Sequence, residues 1–411
     1  MHPRNPYRTP PDFNALAGTY PPLRPFIRQT ANGGGTIDFK NDAAQRRLTE
    51  ALLKRDFQIV LKLPEDRLCP PVPNRLNYVL WIQDIVAISC PEVAVRGVDI
   101  GTGASAIYPL LGCRSSPSWR FVGTDDLSIV SAQANVESNG LSHRIDIVRA
   151  QPGGPIFLPL LQDSDVPFDF TMCNPPFYSS SEEVTASAEA KEYTPNAVCT
   201  GADVEMITAG GEAQFVATMV RESLQIKDSC RWYTSMLGKM ASLSDVVTLF
   251  REHSIDNYAI TEFVQGQTRR WAVAWSFQDA RLPDGLARIS NTALHTLMPA
   301  RNTLRQRLSH TPPVSALPTV LSALRDVIVS PNEASSFIAT VRGDTWSRAA
   351  RRKGTPVALN TELIAPSVCR VSVIQDEAGP AVEFTRVRGR DRQVFESFVN
   401  HVGRKMREFT A

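Results

Sequence analysis

The sequence predicts an α/β chain: a doubly wound, parallel-dominated sheet with an antiparallel edge hairpin, preceded by an N-terminal arm and followed by a small α+β C-terminal domain. Three observations carry this. From Val95 onward, strand-like apolar runs alternate with helical patterns. The first of these strands runs directly into a glycine turn, Asp99-Ile100-Gly101-Thr102-Gly103-Ala104-Ser105. The last two strand runs, Ala259 to Phe263 and Trp271 to Phe277, are separated by a short turn around Gln265 to Arg270, too little chain for a crossover helix, so they pair as a hairpin.

Taken in order, the first 30 or so residues are rich in proline and interleave basic with aromatic side chains at Arg4, Tyr7, Arg8, Phe13, Tyr20, Arg24, Phe26 and Arg28. Such composition makes no compact element alone. It reads as a disordered tail or a strap packed on the domain, or as an arm on which unpaired bases stack and phosphates are neutralised. Helical spacing follows over Asp42 to Arg55 and Asn77 to Ala87. Strands are expected at Val95 to Ile100, Arg120 to Thr124, Ile145 to Val148, Phe168 to Met172 and Arg231 to Met236, with helices such as Ser128 to Ser138 and Glu212 to Gln225 between them. Tyr178 to Gly211 is a long polar insert, the kind of loop that serves as a lid. The implied organisation is an arm and helical lead-in over 1–90, a cofactor-binding α/β domain over 91–280, a linker over 281–318, and a basic accessory domain over 319–411.

Composition narrows the partners. The chain carries 44 basic and 42 acidic residues, but from Arg281 onward the count is 19 against 11. A basic C-terminal part behind a mildly acidic domain points toward a nucleic acid. The seven cysteines are scattered with no CxxC pair, and the histidines do not cluster, so no metal and no disulfide framework are expected. No run of about 18 apolar residues could span a bilayer, so a soluble, non-secreted protein without a membrane partner is expected.

Two constellations carry chemistry. Asp99-x-Gly101-x-Gly103 ends a strand where open α/β sheets bind cofactors, and the next strand ends in Thr124-Asp125-Asp126, where an acid grips ribose hydroxyls. The third glycine of a dinucleotide fingerprint is replaced by Ala106, which disfavours a bound pyrophosphate, whereas S-adenosylmethionine has none; the other reading is an ordinary tight turn. Thr102 and Ser105 belong to the same loop. The second constellation is Asn174-Pro175-Pro176-Phe177. An exocyclic adenine amine is a poor nucleophile. The Asn174 side-chain oxygen and the Pro175 carbonyl can accept its two hydrogens and aim the nitrogen lone pair at an electrophilic methyl. The two prolines fix the backbone, and Phe177 offers a face for a base that has left its neighbours. Arg75, just ahead of the first strand, suits either a bidentate contact to a cofactor carboxylate or a helix cap. Trp346-Ser347-Arg348-Ala349-Ala350-Arg351-Arg352-Lys353 is either a solvated face or a phosphate-gripping patch.

Together these residues resemble the methyltransferases that place N6-methyladenosine in U6 small nuclear RNA, with bacterial relatives acting on ribosomal RNA. The resemblance covers roughly residues 1 to 278. It rests on Arg4-Asn5-x-Tyr7 with Pro11-Asp12-Phe13, Arg75-Leu76-Asn77-Tyr78, the Asp99 to Ser105 loop with Tyr108-Pro109-Leu110-Leu111-Gly112, and Cys173 to Phe177. It continues in Gly210-Gly211-Glu212, Arg231-Trp232-Tyr233, Met236-Leu237-Gly238-Lys239 and the Thr261 to Ala272 hairpin. It implies a Rossmann-like class I methyltransferase fold and S-adenosylmethionine as cofactor, held by Arg75, Asp99, Gly101, Thr102, Gly103, Ser105, Asp125 and Asn174. It also implies an adenine pocket at Asn174, Pro175, Pro176 and Phe177. RNA-facing residues would be Arg4, Tyr7, Arg8, Phe13, Gln265, Arg269 and Arg270, with Arg348, Arg351 and Arg352 added by charge and position. The expected partner is a structured RNA, U6 small nuclear RNA or an mRNA hairpin, bound by a monomer in the nucleus, with the cytoplasm as the alternative location. Other readings are a ribosomal RNA adenine-N6 methyltransferase, a release-factor glutamine methyltransferase, or a silent RNA-binding protein. One departure stands out. The insert after the tetrad, often basic in the family, here carries Glu182, Glu183, Glu189 and Glu192 against a single Lys191. An acidic lid repels phosphates, so RNA grip is expected from the arm, the hairpin and the C-terminal domain.

Overall fold

In a computed structural model of the chain, residues 1–89, 94–151, 153–157, 159, 167–183, 206–266, 268–333, 335–346 and 366–409 are described. They form two compact units, Met1–Phe277 with Ala293–Leu297, and Gln278–Thr292 with Met298–Ala411.

The N-terminal arm of the first unit is a structured strap. A 3-10 turn at Pro6–Arg8 is followed by helix α1 (Phe13–Thr19), which Asp12 caps by accepting the Asn14 and Ala15 N–H groups. A two-stranded ribbon of β1 (Ile27–Gln29) and β2 (Gly35–Ile37) completes it. The strap is tied to α2 (Asp42–Phe57) and α3 (Val72–Ser89). Tyr7 is buried and donates its hydroxyl to Asp56 at 2.7 Å, Tyr20 donates to Glu50 at 2.8 Å, and Arg4 reaches Asp84 and the Leu80 carbonyl. Tyr7 is therefore a core residue rather than a stacking surface, which corrects its reading as an RNA-facing ring.

The main sheet has seven strands: β3 (Val95–Ile100), β4 (Trp119–Asp125), β5 (Ile145–Arg149), β6 (Phe168–Cys173), β7 (Cys230–Leu237), β8 (Tyr258–Gln265) and β9 (Thr268–Trp275). Their spatial order is β5-β4-β3-β6-β7-β9-β8, parallel through β7 and antiparallel at the β8–β9 edge. The crossovers run in opposite directions from β3 and β6, so the right-handed rule assigns α4 (Ile107–Ser115) and α5 (Ile129–Ser138) to one face and α6 (Gly211–Ile226) and α7 (Met240–Glu252) to the other; α4 packs on α3, and α6 on α7. The hairpin closes more tightly than its spacing suggested. Gln265 pairs with Thr268 around Gly266, whose φ of 56° favours glycine, so Gln265, Arg269 and Arg270 lie in strands instead of a loop. In the core, Gly97 pairs with both Phe121 and Phe170, and the two rings meet edge-on at 5.6 Å across the space it leaves. A Cβ at Gly97 would lie 2.4 Å from the Phe170 ring.

The second unit is an antiparallel sheet in the order β10-β14-β13-β12-β11, formed by β10 (Thr303–Arg307), β11 (Val327–Glu333), β12 (Ser336–Val341), β13 (Ser367–Asp376) and β14 (Gly379–Arg388). Helices α8 (Asp284–Ala287), α9 (Ala316–Ser322) and α10 (Arg392–Glu408) accompany it. Leu317, Leu321, Val371, Phe384, Phe398 and Val402 form its core. The stretch 281–318, read as a linker, contains α8, strand β10 and the start of α9. Buried Arg281 donates to the Gly389 carbonyl at 3.0 Å, and Asp284 accepts the Asn302 N–H at 2.7 Å. Trp346 is also core: it packs on Phe398 at 5.5 Å and donates its indole N–H to Ser397. Arg348, Arg351 and Arg352 beyond it lie outside the described residues.

Replacing Gly97 with alanine should destabilise the first unit by about 1–3 kcal/mol through overpacking. Gly18→Ala, in a helix where nothing lies within 4 Å of the added methyl, should be neutral or stabilising. Urea unfolding followed by tryptophan fluorescence reads both; equal midpoints for the two variants would refute the packing argument.

Candidate active site

Ile100 of β3 sits opposite Cys173 of β6, so Gly101 and Asn174 leave the sheet side by side. From there the chain turns to α4 on one face and toward α6 on the other, which opens the crevice where such sheets take ligands. Gly101 and Gly103 adopt φ values of 66° and 62°, conformations that favour glycine. Strand β4 holds the loop: Gly101 N–H donates to Thr124 Oγ1 at 3.3 Å, Thr102 N–H to the Thr124 carbonyl at 2.8 Å, and Gly103 N–H to Asp125 Oδ2 at 3.0 Å. The other Asp125 oxygen accepts the Leu127 and Ser128 N–H groups.

Asp99 is fully buried beneath this loop. Thr102 donates to its Oδ2 at 2.7 Å, but Oδ1 has no partner. Burial pushes its carboxyl up to about 7, against the opposing pull of the Thr102 hydroxyl and the Arg75 charge. Arg75 is buried too. It donates to the Tyr108 hydroxyl at 2.9 Å and lies 5.5 Å from the Tyr108 ring centre, while its Nε has no partner. The alternative reading of Arg75 as a surface helix cap is thereby excluded. Thr102 and Ser105 are buried beside Asp99 on the same loop.

Directly after β6, Asn174 presents a third unpartnered atom, its buried side-chain oxygen Oδ1. Pro175 is buried, and Phe177 is half-exposed. The Phe177 ring lies against Gly238 at the end of β7, where a Cβ would come within 2.9 Å of it. The Arg270 guanidinium from the hairpin is 5.3 Å from the ring centre. Tyr178 exchanges backbone hydrogen bonds with Met206 and Thr208, at 3.0 and 2.9 Å, closing the exit of the tetrad. Beside it the Lys239 ammonium pairs with Glu183 and sits 5.5 Å from the Tyr178 ring. That ammonium, with the Ser179 N–H and hydroxyl, holds the Glu183 carboxyl down to about 2. Glu183 is thus neutralised locally, which tempers the reading of the insert as a repelling lid. Glu189, Lys191 and Glu192 lie outside the described residues.

The fold therefore brings Arg75, Asp99, Gly101, Thr102, Gly103, Ser105 and Asp125 to one side of the crevice and Asn174 to Phe177 to the other. Of the residues expected to face RNA, Arg270 is at the tetrad, Arg269 pairs with Glu262 at 2.9 Å on the hairpin, and Phe13 packs edge-on against Phe39 at 6.4 Å. Arg8 is exposed on the strap, whereas Arg4 is engaged with α3. Sequence reasoning gave no role to Tyr108, which bonds Arg75, to Thr124, which holds Gly101, to Gly238, which lies against Phe177, or to Glu212, which holds Gly238. The only signal for three of them was membership in ordered motifs whose purpose local chemistry does not reveal.

A family model described as RNA methyltransferase matches residues 1–279. The chain is 36% identical over 382 residues to the U6 small nuclear RNA (adenine-(43)-N(6))-methyltransferase of Schizosaccharomyces pombe, covering 91% of this chain and 96% of that protein. It is 41% identical over 285 residues to the RNA N(6)-adenosine-methyltransferase mettl16 of Danio rerio, covering 68% of this chain and 59% of that protein; the chain spans little more than half of the vertebrate relatives it matches. Two solved structures, one of the catalytic domain and one of the N-terminal domain of human METTL16, are also similar. One, in complex with MAT2A 3'UTR hairpin 1, matches with a TM-score of 0.62 at 40% identity, over 68% of this chain and 96% of that one. The other, in complex with SAH, matches with a TM-score of 0.57 at 39% identity, over 68% and 99%. With the crevice, its glycine loop and its Asn-Pro-Pro-Phe tetrad all inside the matched residues, the chain belongs to the RNA methyltransferase family.

Proposed function

We propose that the chain transfers a methyl group from S-adenosylmethionine to the N6 amine of an unpaired adenosine in a structured RNA of the U6 small nuclear RNA class. The observation that carries this reading is the buried, unpartnered Oδ1 of Asn174, followed by two prolines and an aromatic face. A buried acceptor left without a donor costs about 1–3 kcal/mol, so its retention argues for a ligand that supplies the donor. An exocyclic amine supplies two hydrogens, one for Asn174 and one for the Pro175 carbonyl. The relatives named for adenine-N6 methylation of U6 small nuclear RNA and the relative bound to an RNA hairpin support the same substrate.

The residues on the other side of the crevice fit the cofactor. Asp99 Oδ1 and Arg75 Nε are an acceptor and a donor left open at the switch point, suited to the ammonium and carboxylate of an amino acid moiety. Gly101 and Gly103 allow backbone to approach a ligand closely, and the likeness to a structure holding SAH agrees. When bound, S-adenosylmethionine supplies an electrophilic methyl group on a sulfonium. The chain's own part is positional: Asn174 and Pro175 orient the amine, Phe177 stacks the base, and Arg270 places positive charge at the rim for the phosphodiester backbone. The second unit, with its excess of basic residues, acts as an accessory RNA grip, and a U6-class target places the protein in the nucleus.

Asn174→Ala should reduce methyl transfer to a U6-type hairpin by about 100-fold or more while RNA and cofactor affinities hold within a few-fold. Single-turnover transfer of a radiolabelled methyl group reads this; unchanged turnover would dismiss the amine-orienting role. Alanine at Arg348, Arg351 and Arg352 together should weaken RNA binding and flatten its salt dependence, and an unaltered salt slope would return that cluster to a solvated face. Asp99 gives a pH signature. Its folded pKa of about 7 lies above the ordinary 3.8, so the stability it contributes is full below about pH 4 and is lost as pH rises through 7. The cofactor-free Asp99→Asn variant should lose that part of the pH dependence between 4 and 7, as measured by thermal unfolding across the range. A variant that keeps the wild-type profile would mean that Asp99 is not the titrating group.

A further inference from the structure

We propose that Glu212 is a positioning residue for the target base, holding the end of β7 so that the bare backbone of Gly238 forms the wall against which Phe177 stands. This rests on the reading of Phe177 as the base platform. The motif Gly210-Gly211-Glu212 begins α6, and both glycines have left-handed φ values, 76° and 66°. A Cβ on Gly211 would be 3.6 Å from the Phe177 carbonyl and the Ser179 nitrogen, so the turn sets the helix start directly on the exit of the tetrad. From there Glu212, 1% exposed, spans to the next strand end. Its two carboxylate oxygens accept the Gly238 N–H at 2.6 Å and the Lys239 N–H at 2.8 Å. Ser242 in the first turn of α7 adds a third hydrogen bond.

Gly238 is not there for its torsions, because it is absent from the residues with positive φ. It is there for room. A Cβ would lie 2.9 and 3.2 Å from two atoms of the Phe177 ring and 3.2 Å from Glu212 Oε2. On the far side of the turn, Lys239 continues to Glu183, whose carboxylate accepts the Ser179 N–H. The ring is thus flanked by a backbone clamped from both ends. A helix cap alone would need the carboxylate but would place no demand on residue 238; the coincidence of the clamped turn with a glycine pressed against Phe177 points to the base slot.

The test uses the full chain with Glu212→Gln, Gly238→Ala and Phe177→Ala, singly and with each of the first two combined with the third. Glu212→Gln keeps the volume but turns an amide N–H toward a backbone N–H; Gly238→Ala adds only a methyl. Three quantities are measured: single-turnover transfer to a U6-type hairpin, cofactor affinity by calorimetry, and fluorescence quenching of 2-aminopurine at the target position. Each single variant should lower transfer on the order of 10- to 100-fold and weaken the quenching, with cofactor affinity changed less than about twofold. In the Phe177→Ala background, either change should cost less than about twofold further, because its route of action is gone. Full multiplicative losses in that background, or a loss of cofactor affinity matching the loss of transfer, would overturn the inference while leaving Phe177 in its role. Normal transfer and quenching by Phe177→Ala alone would instead remove the platform reading, and the inference with it.

Discussion

Strands β3 and β6 lie side by side, yet the chain leaves them for opposite faces of the sheet, and the crevice at their carboxyl ends is the constraint to which the rest of the first unit answers. At a reversal of crossover direction no helix covers the strand ends, so backbone and side-chain groups there face a space that the protein does not fill. Three unpartnered buried atoms, on Arg75, Asp99 and Asn174, gather around these ends. The raised pKa of Asp99 has its origin in the same burial, a carboxyl taken out of water with one oxygen unpaired. Stability is given up at one place, and the aromatic cluster of Trp119 and Phe121 on β4 with Phe170 on β6, for which Gly97 of β3 makes room, helps to offset the loss.

The sheet was legible because its strands are buried runs whose apolar character is continuous, and because the distances between them fix which connections can hold a helix. Every expected strand of the main sheet is present within a few residues, and the hairpin is antiparallel as its short spacer required. The tetrad and the glycine loop were legible because each needs particular residue types in a row. What stayed hidden depends on partners far apart in the chain. Tyr7 reads as an exposed aromatic until Asp56, on a different helix, accepts its hydroxyl. Trp346 reads as part of a basic patch until Phe398 and Ser397 claim it. Strand β10 escapes notice because an edge strand alternating Leu304 with Arg305 and Arg307 resembles a polar connector. Its pairing with β14 and the ion pairs from both arginines to Asp376 supply what its own sequence lacks.

Charge around the tetrad is arranged more finely than composition suggests. Counting acids in the insert after Phe177 gives a surface hostile to phosphate, but Glu183 spends its charge on Lys239 and on the Ser179 backbone. Arg270 stands over the Phe177 ring, where a cation gains from the negative face of the aromatic. Local pairing, not net charge, decides the charge this edge presents.

The chemistry proposed for the tetrad asks for placement more than for proton transfer. Asn174, the two prolines and Phe177 offer no general base near neutral pH, so any rate acceleration at this site must come from holding the amine, the base plane and the methyl donor in line. Placement of that kind fails if the supporting backbone can drift by even a fraction of an ångström. The fold answers with restrictions of different physical origin: prolines that fix φ at 175 and 176, left-handed glycines that set the start of α6, and a buried carboxylate that pins two backbone N–H groups of the β7 turn. Of these, only the Pro175 carbonyl meets the amine in the proposed pose; the others act through the backbone they hold. The precision of a site built from an amide and two carbonyl-bearing prolines is inherited from the rigidity of the three strand ends that surround it.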